Sequence, residues 1–293
     1  MKKNIYLTIT GITILLTICF SVSYLYFSKS KPAAAKNSEI RVDNHFTENI
    51  LSVAVPAVTL DTAHVFEVED RPLYPKEVFL TIDDGPSENN TLNVLDTLKE
   101  NGVKATFFMI GKNAEALPQI VKAVNDAGMS IGNHTYSHDY KLYGTVDSCL
   151  NDFDKFNVTL DKVIGKKTTN FIRFPGGSDN QVSKSDIMSQ IRSTAVAKNL
   201  FYVDWNVSSG DAAPAGLTTQ AIINNITGQC SDKNFAVVLM HDAPDKKTTA
   251  EALPAVIKYL KEKGFVFRTF DDITPTEKNE MIKLRIVNRG IKK

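Results

Sequence analysis

Val78-Phe-Leu-Thr-Ile-Asp-Asp-Gly-Pro86 is the stretch that decides the fold of this 293-residue chain. Val78–Ile82 is a short run of apolar and β-branched residues, which predicts a buried strand. Asp83 and Asp84 follow directly, and Gly85-Pro86 supplies turn chemistry. A buried strand that ends in paired carboxylates is typical of the edge of a parallel α/β sheet, where active sites are built.

The same arrangement repeats along the chain from Val78 onward. Short β-rich runs alternate with longer helix-like stretches, several of which end at glycine. Such alternation indicates parallel strands with right-handed crossovers, either in an α/β barrel or in an open doubly wound sheet. About seven such units in roughly 200 residues favour a reduced barrel. Strands are predicted at Val78–Ile82, Ala105–Ile110, Met129–Asn133, Phe171–Phe174, Phe201–Asp204, Ala236–Met240 and Phe265–Phe267. Helices are predicted at Thr91–Glu100, Leu117–Ala127, Asp147–Ile164, Lys184–Asn199, Thr218–Gly228 and Ala250–Lys263.

The N-terminal segment predicts one transmembrane helix. Residues 5–27 contain no charged side chain, and about 23 residues are long enough to cross a bilayer. A cleaved signal peptide, whose apolar region is ordinarily ~7–15 residues, stays the alternative and implies a secreted protein. Lys2 and Lys3 favour the cytoplasm for residues 1–4. We therefore expect a single-pass membrane protein in which the chain after residue 27 is extracellular.

The remaining boundaries follow from the regular α/β pattern. Residues 28–76 have no sustained period and are expected to form an extracellular linker or a small N-terminal extension. Residues 77–275 are expected to form the catalytic domain, and residues 276–293 a basic C-terminal tail.

Charge and cysteine content exclude some classes of protein. Lys and Arg (34) nearly balance Asp and Glu (33), which gives a net charge of +1. This balance argues against a partner nucleic acid. The absence of a C-x-x-C spacing argues against a structural zinc site. Cys149 and Cys230 either form a disulfide or remain as buried free thiols.

Polar residues cluster at the ends of the predicted strands. In a parallel α/β fold these ends meet on one face, so the side chains are expected to share a site. The clusters are Asp83-Asp84, His134, Arg173, Asp204-Trp205 and His241-Asp242.

Two histidines and a carboxylate predict a metal site. His134 and His138 are four residues apart, so in a helical turn both imidazoles lie on one face and can bind one divalent ion. An aspartate from the first strand completes an open site with three protein ligands. Asp83 and Asp84 point to different sides, so one can bind the metal while the other accepts a proton from water. The alternative for this pair is a turn without catalytic function.

Three further residues have candidate roles in catalysis or substrate binding. His241 follows an apolar strand and can act as a general acid, because an imidazole titrates near neutral pH. Arg173 can pair with a carboxylate and orient it. Trp205, the one tryptophan of the chain, either packs in the core or stacks against a sugar ring.

Four motifs together resemble those of the polysaccharide deacetylases, the NodB-homology domain of carbohydrate esterase family four. Thr81-Ile-Asp-Asp-Gly-Pro86 is similar to T-F-D-D-G-P, and His134-Thr-Tyr-Ser-His138 to H-[ST]-x-x-H. Arg173-Phe-Pro-Gly-Gly177 is similar to R-x-P-x-G, and Leu239-Met-His241 to L-x-H. The similarity extends from about Val78 to Phe270.

This resemblance implies a distorted (β/α) barrel of about seven strands and a metal-dependent hydrolase. It implies that Asp83 is the general base, that His241 is the general acid and that Arg173 orients Asp83. The implied cofactor is one divalent metal ion, commonly zinc, with cobalt or nickel as alternatives. The implied metal ligands are Asp84, His134 and His138, and the implied substrate-binding residues are Pro175, Gly176 with its backbone N–H, Trp205 and Leu239.

The sequence departs from the family pattern in two places. Gly176 stands where the family often has Tyr, which makes one wall of the sugar groove smaller. A fourth motif, in which an aspartate tunes the catalytic histidine, is ambiguous here. The candidates for tuning His241 are Asp204, Ser208 and Asp211.

The resulting functional hypothesis is deacetylation of N-acetylglucosamine residues in a cell-wall polysaccharide. Peptidoglycan is the first substrate to consider, and chitin-type oligomers are the second. One alternative is an esterase that removes O-acetyl groups from xylan or wall glycan. Another is a glycan-binding barrel without turnover. The expected partners are an N-acetylated glycan polymer and, through the N-terminal helix, a membrane; the protein is expected to be a monomer.

Overall fold

The computed structural model describes residues 68–166, 168–213 and 216–291. The expected cytoplasmic residues 1–4, the membrane segment 5–27 and the linker up to residue 67 lie outside this range, as does Cys19. Among the helices of the described residues, none combines the length and the apolar composition needed to cross a membrane.

The described residues form one parallel sheet of eight strands, which confirms the predicted α/β class. The strands are β1 Glu77–Asp83, β2 Thr106–Met109, β3 Ser130–Asn133, β4 Phe171–Ile172, β5 Phe201–Tyr202, β6 Val207–Ser208, β7 Phe235–His241 and β8 Val266–Arg268. Their order is β5-β4-β3-β2-β1-β7-β6, and β8 pairs with the first half of β1. Seven strands thus follow one another as in a barrel that is open between β5 and β6.

Eight α-helices connect or flank these strands in the described residues. They are α1 Thr91–Glu100, α2 Gly111–Ala116, α3 Pro118–Asp126, α4 Val146–Ile164, α5 Ser185–Ala197, α6 Thr219–Cys230, α7 Lys247–Glu262 and α8 Pro275–Lys283; Tyr140–Gly144 is a 3-10 helix. The sequence pattern predicted six of the α-helices with ends that differ by up to three residues. It missed α2 and β6, which are too short to establish a hydrophobic period, and it missed α8, whose apolar positions are separated by charged residues.

Strand β1 shows how the fold separates its core from its chemistry. All seven of its residues are buried, as expected for the centre of a parallel sheet covered by helices. Val78, Leu80 and Ile82 pack outward against the helices. Phe79 belongs to the cluster inside the barrel. Because side chains alternate along a strand, Asp83 also points to the interior.

The C-terminal segment differs from the expected basic tail. Met281, Ile286 and Val287 are buried in the interior cluster, and Val287 forms an antiparallel bridge with Val203 beside β5. The segment therefore covers the open edge of the barrel. This packing was not predicted from the sequence, because the few apolar residues of the segment are separated by charged residues.

A buried ion cluster fixes this segment to the start of the domain. Glu77 and Glu277 have fully buried side chains. Arg71 contacts them at 2.9 and 2.7 Å, respectively, and Arg268 contacts Glu277 at 2.6 Å. The arginines compensate the two carboxylates, which would otherwise be costly to bury.

Cys149 and Cys230 are buried free thiols, so the disulfide alternative is wrong. Cys149 packs in the cluster beside α4 and α5, whereas Cys230 packs in the larger core. Burial raises the pKa of Cys149 to about 12 and that of Cys230 to about 11. Both are therefore protonated and act as small apolar side chains.

Candidate active site

The carboxyl ends of β1 and β7 place the predicted proton-transfer residues side by side. Asp83 is the last residue of β1 and His241 the last of β7. The two are direct partners in the register of these parallel strands, which run ~4.8 Å apart. A carboxylate and an imidazole therefore flank the same small space.

Arg173 orients Asp83 from inside the barrel. Its side chain is fully buried, and Nη1 donates to Asp83 Oδ1 at 2.8 Å and to Thr81 Oγ1 at 2.7 Å. Nε donates to the Val203 carbonyl at 3.1 Å, and Nη2 donates to the Asp204 carbonyl at 3.3 Å. These bonds fix the guanidinium group, so Asp83 Oδ1 is held in place and Oδ2 faces the site.

Asp84 is turned away from Asp83 by its backbone conformation. Its φ angle is +79°, in the left-handed region. The Asn113 side chain donates to its carbonyl at 2.9 Å, and its own amide donates to Phe108 O at 3.3 Å. The two adjacent carboxylates therefore point in different directions, as predicted from their position at a strand end.

His134 and His138 approach each other through a loop, so the helical turn considered in the sequence analysis is wrong. Thr135 and His138 have φ angles of +67° and +53°. Asp152 Oδ1 accepts hydrogen bonds from the amides of Tyr136 and Ser137 at 2.7 and 2.8 Å. The loop is thereby held so that the two imidazole centroids lie 5.0 Å apart.

The arrangement of Asp84, His134 and His138 fits a divalent cation. One ligand atom from each residue lies within 4.8 Å of the others. His134 Nδ1 lies 2.9 Å from the Arg173 carbonyl, so in the neutral ring Nδ1 carries the proton and Nε2 is an acceptor. Asp84 Oδ1 lies 3.4 Å from His134 Nε2 and 3.2 Å from His138 Nε2.

The charge state of Asp84 agrees with this role. Burial alone raises the pKa of Asp84, but the neighbouring imidazoles of His134 and His138 outweigh it and hold that pKa far below its usual range. Oδ1 is buried and has no hydrogen-bond partner in the described residues. A cation between this oxygen and the two Nε2 atoms would satisfy all three acceptors.

Asp211 is the candidate that contacts His241. Oδ1 lies 2.7 Å from His241 Nδ1, and Oδ2 accepts from the His241 amide at 2.8 Å. Ser209 and Thr249 also donate to this buried carboxylate, at 2.6 and 2.8 Å. Burial lowers the pKa of His241, but the hydrogen bond to Asp211 and its charge outweigh it and raise the pKa to about 9. His241 is therefore protonated, as a general acid must be.

The other two candidates for tuning His241 have different partners. Asp204 accepts hydrogen bonds from Ser178 N at 2.8 Å and Ser178 Oγ at 2.5 Å, and so holds the loop after β4. Ser208 O accepts from Gln229 at 2.8 Å. Neither contact involves the imidazole.

Replacing Asp211 with asparagine should move the alkaline limb of the kcat–pH profile to lower pH. The amide keeps the shape but removes the charge that raises the pKa of His241, while burial continues to lower it. The pKa should fall from about 9 toward or below the ordinary ~6.5. The acid form would then be lost as pH rises through this lower value. The profile should be compared with that of Asp232→Asn, an exposed carboxylate; an unmoved limb in Asp211→Asn would refute the tuning role.

The walls of the pocket include three of the four predicted substrate-binding residues. The pocket has a volume of about 270 Å³ and is lined by Gly176, Trp205 and Leu239 together with the candidate catalytic groups. Pro175 does not line it; its carbonyl accepts from Tyr143 Oη at 2.8 Å. A larger cavity of about 800 Å³ lies near the start of β4 and contains none of the candidate catalytic residues.

Tyr140 was not predicted from the sequence, and Asp242 was placed in a strand-end cluster without an assigned role. Tyr140 lines the pocket, but an aromatic residue in a predicted loop gave no signal. Asp242 is fully buried, and its Oδ2 accepts a hydrogen bond from Thr91 Oγ1 at 2.5 Å. Burial raises the pKa of Asp242 to about 7. Its position directly after His241 was the only hint in the sequence.

Asp242 makes glycine necessary at position 85. A Cβ atom on Gly85 would lie 2.6 Å from both carboxylate oxygens of Asp242, which is shorter than a non-bonded contact allows. Gly85→Ala should therefore displace the loop that carries Asp84, lower the free energy of unfolding by about 1–3 kcal/mol and reduce activity. Thermal unfolding and acetate release would measure both effects.

Gly228→Ala is the matched control, because a Cβ atom there meets nothing within 4 Å and alanine favours the helix. A Gly85→Ala protein as stable and active as Gly228→Ala would show that the loop tolerates the displacement.

A buried carboxylate–arginine pair, an imidazole–carboxylate pair and a potential metal triad at the strand ends define a hydrolase site. Comparison with known proteins supports this class. The family model described as polysaccharide deacetylase matches residues 70–195. A peptidoglycan-N-acetylglucosamine deacetylase of Bacillus cereus is 35% identical over 209 residues, which cover 71% of each chain.

Solved structures agree with this comparison. The catalytic domain of a peptidoglycan N-acetylglucosamine deacetylase from Eubacterium rectale has a TM-score of 0.63 and 31% identity, covering 71% of this chain and 94% of that one. A Streptococcus mutans carbohydrate esterase of family four has a TM-score of 0.60 and 31% identity, covering 67% and 86% of the two chains. The chain belongs to the polysaccharide deacetylase family, carbohydrate esterase family four, and is a hydrolase of N-acetyl amide bonds.

Proposed function

We propose that this protein is a metal-dependent deacetylase of N-acetylglucosamine residues in a cell-wall polysaccharide, with peptidoglycan as the first substrate. The observation that carries the proposal is the placement of Asp83 and His241 as direct partners on β1 and β7, beside the cluster of Asp84, His134 and His138. The peptidoglycan deacetylases of Bacillus cereus and Eubacterium rectale, to which the chain is similar, support the choice of substrate.

The divalent ion would be held by Asp84, His134 and His138, and zinc is the first candidate because two imidazoles and one carboxylate form an open site of the kind that zinc occupies in hydrolases. Cobalt and nickel can use the same ligands. When bound, such an ion supplies Lewis-acid polarisation of the acetyl carbonyl and makes water more acidic.

The protein side chains would carry the two proton transfers. Asp83 Oδ2 takes a proton from the attacking water while the water oxygen forms a bond to the acetyl carbon. The backbone N–H of Gly176, a residue that lines the pocket, would donate to the developing oxyanion. The C–N bond then breaks, and protonated His241 gives its proton to the leaving nitrogen. The products are acetate and a free amino sugar.

The proposed location is the outer face of a bacterial cell membrane. Its support is the uncharged run of residues 5–27 after Lys2 and Lys3, which favours an anchor with a cytoplasmic N-terminus. A cleaved signal and secretion remain the alternative. Detecting the chain in membrane or culture fractions, with its mature N-terminus sequenced, distinguishes the two.

The test of the function is acetate release by the full chain with zinc or cobalt supplied. The substrates are peptidoglycan, N-acetylglucosamine oligomers and acetylated xylan, and free amines are measured in parallel. Acetate with an equal amount of amine from the first two supports amide hydrolysis. Acetate without amine, or release from xylan alone, would favour the second candidate, the O-acetyl esterase. No release from any substrate would refute the proposal and leave the glycan-binding barrel.

A further inference from the structure

Tyr140 forms a wall of the catalytic pocket that no motif predicted. It begins the 3-10 helix Tyr140–Gly144, and 41% of its surface is exposed. Its ring stands edge-on to the imidazole of His138, with centroids 5.9 Å apart and an interplanar angle of 78°. An exposed aromatic ring at the mouth of a sugar site can stack on a sugar face.

Gly176 provides the room for this ring. A Cβ atom at position 176 would lie 3.2 Å from Tyr140 Cε1 and from Tyr140 Oη, and the φ angle of +77° is one that side chains rarely adopt. The sequence predicted a smaller wall of the sugar groove at Gly176. Tyr140, from another loop, provides an aromatic ring at this position instead.

Tyr140 also lines a second concavity, which we call the lysine groove. It has a volume of about 710 Å³ and lies between the 3-10 helix and the start of α5, bordered by Tyr143, Val182 and Ile187. Because Tyr140 belongs to both walls, the groove lies next to the pocket. The pocket, at about 270 Å³, is below the ~300–1,000 Å³ of sites for drug-sized ligands. A polymer with one sugar in the pocket must therefore continue outside it.

The lysine groove has a positive rim formed by Lys141 and Lys184. Both side chains are exposed, and neither forms an ion pair with a carboxylate in the described residues. Asp139 is the acidic residue of the lining, and its Oδ1 accepts the Lys141 amide at 2.9 Å. The polar rim thus carries two cations against one anion, which favours an anionic ligand.

We propose that the lysine groove binds the sugar next to the one that is deacetylated, and that Lys141 and Lys184 pair with a carboxylate-bearing substituent on that sugar. The proposal rests on the proposed function and narrows its substrate. The preferred substrate would be a glycan chain in which a neutral N-acetylated sugar is next to an anionic sugar. Tyr140 is the contact shared by the two sugars.

The test compares two substrates with the full chain and with the double variant Lys141→Gln/Lys184→Gln. One substrate is a neutral N-acetylglucosamine oligomer, and the other is a peptidoglycan fragment of similar length that retains its acidic substituents. Removing both charges should lower kcat/KM for the acidic fragment by about three- to tenfold, since exposed charge pairs contribute modestly. The value for the neutral oligomer should stay within about twofold. Raising the salt concentration should reduce the wild-type preference for the acidic fragment.

Lys258→Gln is the matched control, because Lys258 is an exposed lysine of α7 outside the groove. Equal losses on both substrates, or no loss on the acidic fragment, would overturn the proposal. A wild-type protein that releases no acetate from either substrate would instead refute the proposed function, so the two failures are distinct.

Tyr140→Ala tests the shared wall. It should raise KM for both substrates, while Tyr140→Phe, which keeps the ring, should retain most of the wild-type value. Metal content should be equal in the two variants, because Tyr140 is not one of the three proposed metal ligands. Unchanged KM values in Tyr140→Ala would show that the glycan chain does not contact the Tyr140 ring.

Discussion

Replacing Asp83 with asparagine should reduce acetate release by a factor of about 10²–10⁴, the usual contribution of a general base. The amide has nearly the shape of the carboxylate, but it cannot accept a proton from the attacking water. It also loses the charge that pairs with Arg173 at 2.8 Å inside the barrel, where removing one partner of a buried pair is costly. Initial rates on N-acetylglucosamine oligomers at saturating metal would measure the loss in kcat.

The controls must distinguish loss of the general base from loss of metal binding and from loss of the folded structure. Asp83 lies 3.8 Å from His134 Nε2, farther than Asp84, so Asp83→Asn should still bind the metal. Asp161→Asn, an exposed carboxylate on α4, should keep full activity. An Asp83→Asn protein that binds metal and retains near wild-type kcat would show that another group accepts the proton.

The sequence was sufficient to predict the residues at the ends of β1, β3, β4 and β7. Their strands are short apolar runs that end in polar residues, and parallel connection brings such ends together without any knowledge of loop conformation. The predicted alternation also explains why Asp83 faces Arg173 from the barrel interior while Asp84 does not. This part of the site follows from period and topology alone.

The parts that the sequence did not predict depend on contacts between distant loops. Asp204, Ser208 and Asp211 were equivalent as candidates, because the choice depends on how the segment after β6 folds back on His241. Tyr140 reaches the pocket through a 3-10 helix that has no hydrophobic period. Segment 276–291 carries many charges, yet Met281 is buried; its role is set by the open edge of the barrel, which cannot be known before the sheet is built.

The candidate general acid His241 does not belong to the cluster of proposed metal ligands, so variants of His241 and of a ligand should differ in metal binding. His138 is the more exposed of the two imidazoles in the proposed triad, with 25% of its side chain accessible. His241 lies across the pocket and is bonded to Asp211. Substituting either histidine should abolish turnover, but only the first should abolish metal binding.

Removing the metal with a chelator should therefore abolish acetate release, and adding zinc or cobalt should restore it. A ligand that binds only the folded state stabilises it by about 2.7 kcal/mol at 100 times its Kd. For a domain of 150–250 residues this is a rise in Tm of about 5–11 °C. The rise should be seen for wild type and for His241→Gln, and it should be absent for His138→Gln, because only His138 belongs to the cluster with Asp84 and His134. Thermal unfolding with and without zinc measures it. An equal rise in His138→Gln would place the metal elsewhere, and it would remove the basis for assigning these three residues as ligands.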